Sequence, residues 1–221
     1  VIKGKWSSSI KDTLYKINGQ WYYIVGGKLS NKTTLVKYNG NWYYVEKGIK
    51  KCVVYLEPKE FRTTWLGNKA VYRTRMAMAD GGELIVLAPG ITRFGEDLGV
   101  DAIIRKYGYC GRLKVLELFD GGNLDMRNNM GTAAHLIHGS SDGRFNISYA
   151  VKNVSKEEIA SVHFNPLDYD ETIKKYNPET LKPGWNIVDG EEVFYIPNPA
   201  LGLWIDKSKF YNCIKSVYTS M

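Results

Sequence analysis

One segment recurs intact at an offset of 21 residues, and it constrains the start of the chain more than any other feature. Leu14-Tyr15-Lys16-Ile17-Asn18-Gly19-Gln20-Trp21-Tyr22-Tyr23-Ile24 returns as Leu35-Val36-Lys37-Tyr38-Asn39-Gly40-Asn41-Trp42-Tyr43-Tyr44-Val45. Each copy sets Asn-Gly between two runs of aromatic and β-branched residues. That dipeptide tolerates the positive φ angles of a tight two-residue turn, so each copy is predicted to form a β-hairpin. A lone hairpin is marginal in water, and the Trp and Tyr side chains must stack on the neighbouring repeat or on another surface. Structural need alone therefore accounts for the aromatic density.

From Cys52 onward the texture changes to apolar runs alternating with helical periods. The expected organisation is a layered α/β domain with a central, mostly parallel sheet over residues 52–221, preceded by a small β-hairpin repeat module over residues 1–51. The net charge of +7 divides along the same line. Residues 1–51 hold ten lysines against Asp12 and Glu46, whereas the remainder sums to −1. The lysines are spread along the expected strands without a single arginine, which fits a solvated face and argues against a nucleic-acid partner. No run approaches the roughly 20 apolar residues needed to span a bilayer, and the opening VIKGKWSSS lacks the apolar core of a signal peptide. Cys52, Cys110 and Cys213 are odd in number, far apart and without metal-ligand spacing, which points to a reducing, cytoplasmic setting with neither a disulfide framework nor a zinc site.

Within the α/β part, strands are expected at 53–56, 82–90, 145–151 and 192–196. Helices are expected at 68–79, 101–107, 112–119 and 125–138, and Ser155 with Glu158 reads as a capping box opening a short helix. Ligands of open α/β sheets bind beyond the carboxyl ends of strands. Three loops with the glycines and small polar residues that suit such a place are 89–95, 138–143 and 197–202. Lys69 and Arg73 lie four apart near the start of the 68–79 helix. Two cations there conflict with the positive end of the helix dipole, and a bound carboxylate would relieve the conflict. His135 and His138 are three apart, but no carboxylate or cysteine stands at an offset that would complete a metal site. No GxSxG, GxGxxG or P-loop pattern is present, so hydrolase, dinucleotide and nucleoside-triphosphate functions find no support.

Together TTWLGNKAVYRTRMAMADGGELIVLAPG, FGED, IRKYGY, RNNMGTAAHLIHGSSDGRFNISY and NPALGLW resemble the C-terminal domain of the nickel-dependent lactate racemase-like family, across residues 52–206. The branch most similar is the one of mannonate epimerase-type enzymes. Residues 10–50, with their NGxWYY motif, resemble the choline- and glucan-binding repeats of cell-surface proteins.

The first resemblance implies an isomerase, a racemase or epimerase of 2-hydroxy acids, that inverts a carbinol carbon by hydride transfer through a nickel-pincer nucleotide. It implies that Lys69 binds the substrate acid, with Arg73 beside it. It also implies that Arg127, Asn128 and Asn129 stand where lactate racemases present a tryptophan, a change suited to a polyhydroxylated sugar acid. The family's proton-shuttling and nickel-ligating histidines, and the lysine that anchors the cofactor, belong to a separate catalytic N-terminal domain. The expectation is therefore a small organic acid as substrate, no catalytic or metal-binding residues within this chain, and no turnover by it alone. The second resemblance implies choline or glucan as a partner and the cell surface as an alternative location. A non-catalytic organic-acid sensor is the third functional class that fits.

Overall fold

The computed structural model describes the backbone of residues 13–17, 20–25, 28–29, 34–38 and 41–45, and residues 48–205 in full. The chain divides into two compact units. One contains the repeat strands and the other runs from Ile49 to Leu203.

In the first unit, β1 (Thr13–Ile17) pairs antiparallel with β2 (Gln20–Val25), and β2 with the short β3 (Lys28–Leu29). β4 (Thr34–Tyr38) pairs antiparallel with β5 (Asn41–Val45). Ile17 faces Gln20 and Tyr38 faces Asn41, so each hairpin closes across two residues, as the Asn-Gly spacing requires. The turn residues themselves, the stacking of the Trp and Tyr side chains and Cys213 lie outside the described residues.

The second unit is a six-stranded sheet with helical crossovers. Its strands are β6 (Ile49–Tyr55), β7 (Met78–Ala88), β8 (Asn146–Val151), β9 (Asn165–Asp168), β10 (Gly184–Val188) and β11 (Glu191–Ile196). They lie in the order β10-β11-β6-β7-β8-β9. All neighbours are parallel except the antiparallel hairpin β10–β11. The mostly parallel α/β layering expected from the sequence is therefore present. The central strands read as continuous apolar runs because helices cover both faces. Cys52, Val53 and Val54, then Leu84, Val86, Leu87 and Ala88, have no exposed surface. β6 already begins at Ile49, inside the stretch assigned from sequence to the repeat module.

The helix expected over 68–79 is shorter and broken. α1 (Thr64–Gly67) and α2 (Lys69–Tyr72) are single turns joined at Asn68, and the chain enters β7 at Met78. Two contacts impose the break. The Tyr149 hydroxyl donates to Asn68 Oδ1 at 2.6 Å. Gly67 packs so closely that a Cβ there would meet Leu56 Cδ1 at 2.9 Å.

The crossover from β7 to β8 carries α3 (Leu98–Tyr107), α4 (Arg112–Asp120), α5 (Leu124–Asn128) and α6 (Met130–His138). The helix expected over 125–138 is thus split, because Asn129 adopts non-helical angles of φ −129° and ψ 61°. α7 (Lys156–Ser161) opens with the reciprocal Ser155–Glu158 capping box. α8 (Tyr169–Lys175) follows β9 and leads toward β10. Neither edge strand was expected. β9 is only Asn-Pro-Leu-Asp, with a proline that an edge position tolerates, and β10 begins at Gly184.

Candidate anion site at the carboxyl edge of the sheet

The chain leaves β6 and builds the sheet outward through β7, β8 and β9, then returns to place β11 on the other side of β6. That reversal makes the carboxyl ends of β6 and β11 a topological switch point, where open α/β sheets form their ligand crevice. The loops there are tied together. Asn198, after β11, donates from Nδ2 to Glu60 Oε2 at 3.0 Å, and its Oδ1 accepts the Ala200 N–H at 2.8 Å to form a 3₁₀ turn, Pro199–Leu201. α2 packs against this turn.

The loop after β7 is bound to the loop after β6. Thr64 and Trp65 donate N–H groups to the carbonyls of Arg93 and Phe94, at 3.2 and 2.8 Å. Gly90 approaches Pro58 so closely that a Cβ would lie 2.5 Å from its Cα. The Asp101 carboxylate accepts the N–H groups of Phe94 and Gly95 at 2.8 and 2.9 Å and pairs with Arg105 at 2.6 Å. Burial acts to raise the Asp101 carboxyl, but the bonds from Gly95, Arg105 and Phe94 outweigh it and hold the group below the usual carboxylate range.

Lys69 stands at this edge with its Nζ 5.4 Å from the centre of the fully buried Phe61 ring. Arg73 follows one turn later, and its N–H donates to the Lys69 carbonyl at 3.1 Å. Both are half-buried, and among the described residues neither meets a carboxylate. The contrast with Arg75 is direct, since that guanidinium pairs with Asp142 at 2.7 Å. Arg73 Nε is buried without an acceptor among the described residues.

Arg127 donates from Nε to the Phe119 carbonyl at 2.8 Å and from Nη2 to that of Asp120 at 3.1 Å, capping the end of α4. Asn128 and Asn129 are exposed at the α5–α6 break. α6 runs back to the amino end of β8, so its first turn lies toward the carboxyl edge. No hydrogen bond, ion pair or ring contact joins these three residues to Lys69 among the described residues.

Of the three glycine-containing loops, 89–95 and 197–202 are at the carboxyl edge. The third, 138–143, enters β8 from its amino end, because α6 returns antiparallel to the strands.

Sequence reasoning missed a buried polar chain beneath α1. Thr64 Oγ1 donates to the Phe94 carbonyl at 3.0 Å and lies 2.8 Å from Tyr109 Oη, which is 3.0 Å from His135 Nε2. With the Thr64 proton committed to Phe94, Tyr109 must donate to Thr64. His135 then carries its hydrogen on Nε2 and donates to Tyr109. The imidazole packs tilted against Trp65, with ring centres 4.3 Å apart, and burial, with a smaller push from His138, lowers its pKa to about 4. This neutral histidine holds helices together. Its partner at i+3, His138, is exposed, and among the described residues no three His, Cys, Asp or Glu side chains converge as a metal site. No helix among them is long and apolar enough to cross a membrane.

The fold is a mostly parallel α/β domain with an unneutralised cationic edge, preceded in sequence by tandem aromatic hairpins. Comparison with known proteins gives both parts a likeness. Residues 10–30 and 31–50 match the choline-binding repeat. A search of curated protein sequences finds no match.

Among solved structures, a Thermotoga maritima protein aligns with a TM-score of 0.55 and 22% identity, over 74% of this chain and 39% of that one. The lactate racemase apoprotein from Thermoanaerobacterium thermosaccharolyticum aligns with a TM-score of 0.50 and 12% identity, over 74% of this chain and 37% of that one. The chain is thus similar in fold to a lactate racemase, has two segments that match the choline-binding repeat, and spans less than two fifths of the structures it matches.

Proposed function

We propose that the α/β unit is the substrate-side domain of a 2-hydroxy-acid racemase or epimerase. In this reading Lys69 holds the substrate carboxylate and Arg73 a second oxygen of the same acid. One observation carries it: two half-buried cations one helical turn apart, without carboxylate partners among the described residues, beside the switch point of the sheet. Desolvating a cation without a counter-charge is costly, and an organic anion supplies the missing partner. The likeness of fold to a lactate racemase supports the choice of acid, because that protein is named for a 2-hydroxy acid.

The family's nickel-pincer nucleotide would supply hydride transfer at the carbinol carbon. The described residues do not fit a nickel centre, since no suitable cluster of ligands is among them. In this reading the chain binds and orients the acid through Lys69 and Arg73, and the exposed amides of Asn128 and Asn129 are proposed to meet its hydroxyl groups. Calorimetry of the full chain with lactate and mannonate tests this. Binding is expected, and Lys69→Ala should weaken it about tenfold, the loss of one charge-assisted hydrogen bond. Equal affinity of the parent and Lys69→Ala would defeat the assignment.

The repeat match favours a second role for the other unit, which we propose tethers the chain to choline-bearing polymer at a cell surface. Retention on a choline resin, lost in Trp21→Ala or Trp42→Ala, is the expected outcome, and passage of the parent chain through the resin would remove this role.

A further inference from the structure

The opposite edge of the sheet holds a cleft that the reading above does not use. It has a volume of about 530 Å³, within the range of small-molecule pockets, and is lined by residues 109–113, residues 140–143 and His163. A smaller lobe of about 170 Å³ shares Tyr109, Ser140, Ser141, Gly143 and His163, and reaches Asn146 and Asn165 at the starts of β8 and β9. We propose that this amino-edge cleft is a second ligand site, taking a small phosphate-bearing molecule. The six residues of β8 put about 20 Å between it and the carboxyl edge, so one small acid does not occupy both places.

The charge and donor balance of the lining selects the ligand. Asp142 is the one acid that lines either lobe, and its carboxylate is consumed. It pairs with Arg75 at 2.7 Å and accepts the Arg112 N–H at 2.7 Å. Arg75, outside the lining, neutralises Asp142, and the Arg112 side chain meets no carboxylate among the described residues, so Arg112 is the uncompensated charge of the cleft. α4 begins here, with its first N–H already taken by the Asp142 carboxylate.

Ser140 is only 4% exposed yet lines both lobes. Its Oγ accepts the Asp142 N–H at 2.9 Å, while its own proton has no acceptor among the described residues. A guanidinium and a buried hydroxyl donor, both lacking acceptors, match an anion with several oxygen atoms. The backbone is held in unfavourable form at the same place. Asp142 and His163 have φ of 51° and 68°, two of the three non-glycine residues in the left-handed region among those described. Such conformations persist where the surrounding structure enforces them, so the cleft is preformed.

Titration of the full chain with inorganic phosphate and with glycerol 3-phosphate, followed by calorimetry, tests the proposal. Saturable binding is expected, weakened about tenfold by Arg112→Gln and several-fold by Ser140→Ala. Arg112 is exposed, so its replacement leaves the fold intact, and Lys69→Ala should bind phosphate as the parent does. That last arm separates this site from the carboxyl edge, because either can fail alone. The proposal is overturned if phosphate does not bind saturably, if lactate competes through Arg112 while phosphate does not bind, or if Lys69→Ala abolishes binding that survives in Arg112→Gln.

Discussion

Replacing His135 by Phe should remove a defined part of the chain's sensitivity to acid. In the fold the imidazole is neutral, wedged against Trp65 and hydrogen-bonded to Tyr109, with a pKa near 4 instead of the ordinary 6.5. The unfolded chain therefore takes up a proton at this position before the folded one does. The stabilisation is complete above pH 6.5 and is lost as pH falls toward 4, below which both states are protonated and the loss levels off. At about 1.36 kcal/mol per pH unit, the interval is worth about 3 kcal/mol in all, of which about 2 kcal/mol is lost between pH 7 and 5. Carboxylates with lowered pKa values, such as Asp101, titrate below that range, so the window from 7 to 5 reports mainly on histidine.

Phe preserves the ring against Trp65 and cannot titrate, although it gives up the bond to Tyr109. Urea unfolding of parent and variant at pH 7, 6 and 5, followed by near-ultraviolet circular dichroism, gives the two slopes. The variant should start less stable by about 1 kcal/mol, the usual net value of one hydrogen bond, and lose little more down to pH 5. Parallel pH dependences in the two proteins would refute the claim that the fold holds His135 in neutral form.

Gly90→Ala should lower stability by about 1–3 kcal/mol in thermal unfolding, because the new methyl group collides with the Pro58 backbone and must separate the loops after β6 and β7; an unchanged melting temperature would show that those loops are not held together. Tyr149→Phe strips Asn68 Oδ1 of its buried donor and should cost about 1–3 kcal/mol, with weaker binding of the acid at the neighbouring Lys69. Urea unfolding and calorimetry on the same variant separate the two effects.

What the sequence displayed and what it concealed follow from where each residue is satisfied. Strands buried on both faces announce themselves, and the central Val53-Val54 and Leu84–Ala88 runs are legible for that reason. Local signals with a single mechanical meaning also transfer directly: Ser155 with Glu158 is a capping box, and Asn-Gly spacing sets the register of both hairpins. The break at Asn68 was hidden because the contacts beside it come from far along the chain, among them a side-chain hydrogen bond from Tyr149, 81 residues away.

The edge strands were hidden because β9 and β10 bury little apolar surface, so no hydrophobic period marks them. Lys69 was legible as a cation in an unfavourable place. The amino-edge cleft was not, since it is assembled from three distant loops whose glycines look like ordinary turns. Gly108, Gly111 and Gly143 do need positive φ, at 62°, 91° and 73°, but a sequence carries no sign of which turns will meet.

In the proposed function, the cationic edge beside β6 and β11 receives an organic acid. Backbone and lysine-ammonium NMR shifts of the full chain, recorded during titration with a 2-hydroxy acid, test it most directly. Changes should concentrate at Lys69, Phe61, Arg73 and residues 198–201, with the amino-edge residues 140–143 unmoved. Shifts that spare Lys69 and gather elsewhere, or an unaltered spectrum at saturating acid, would contradict it.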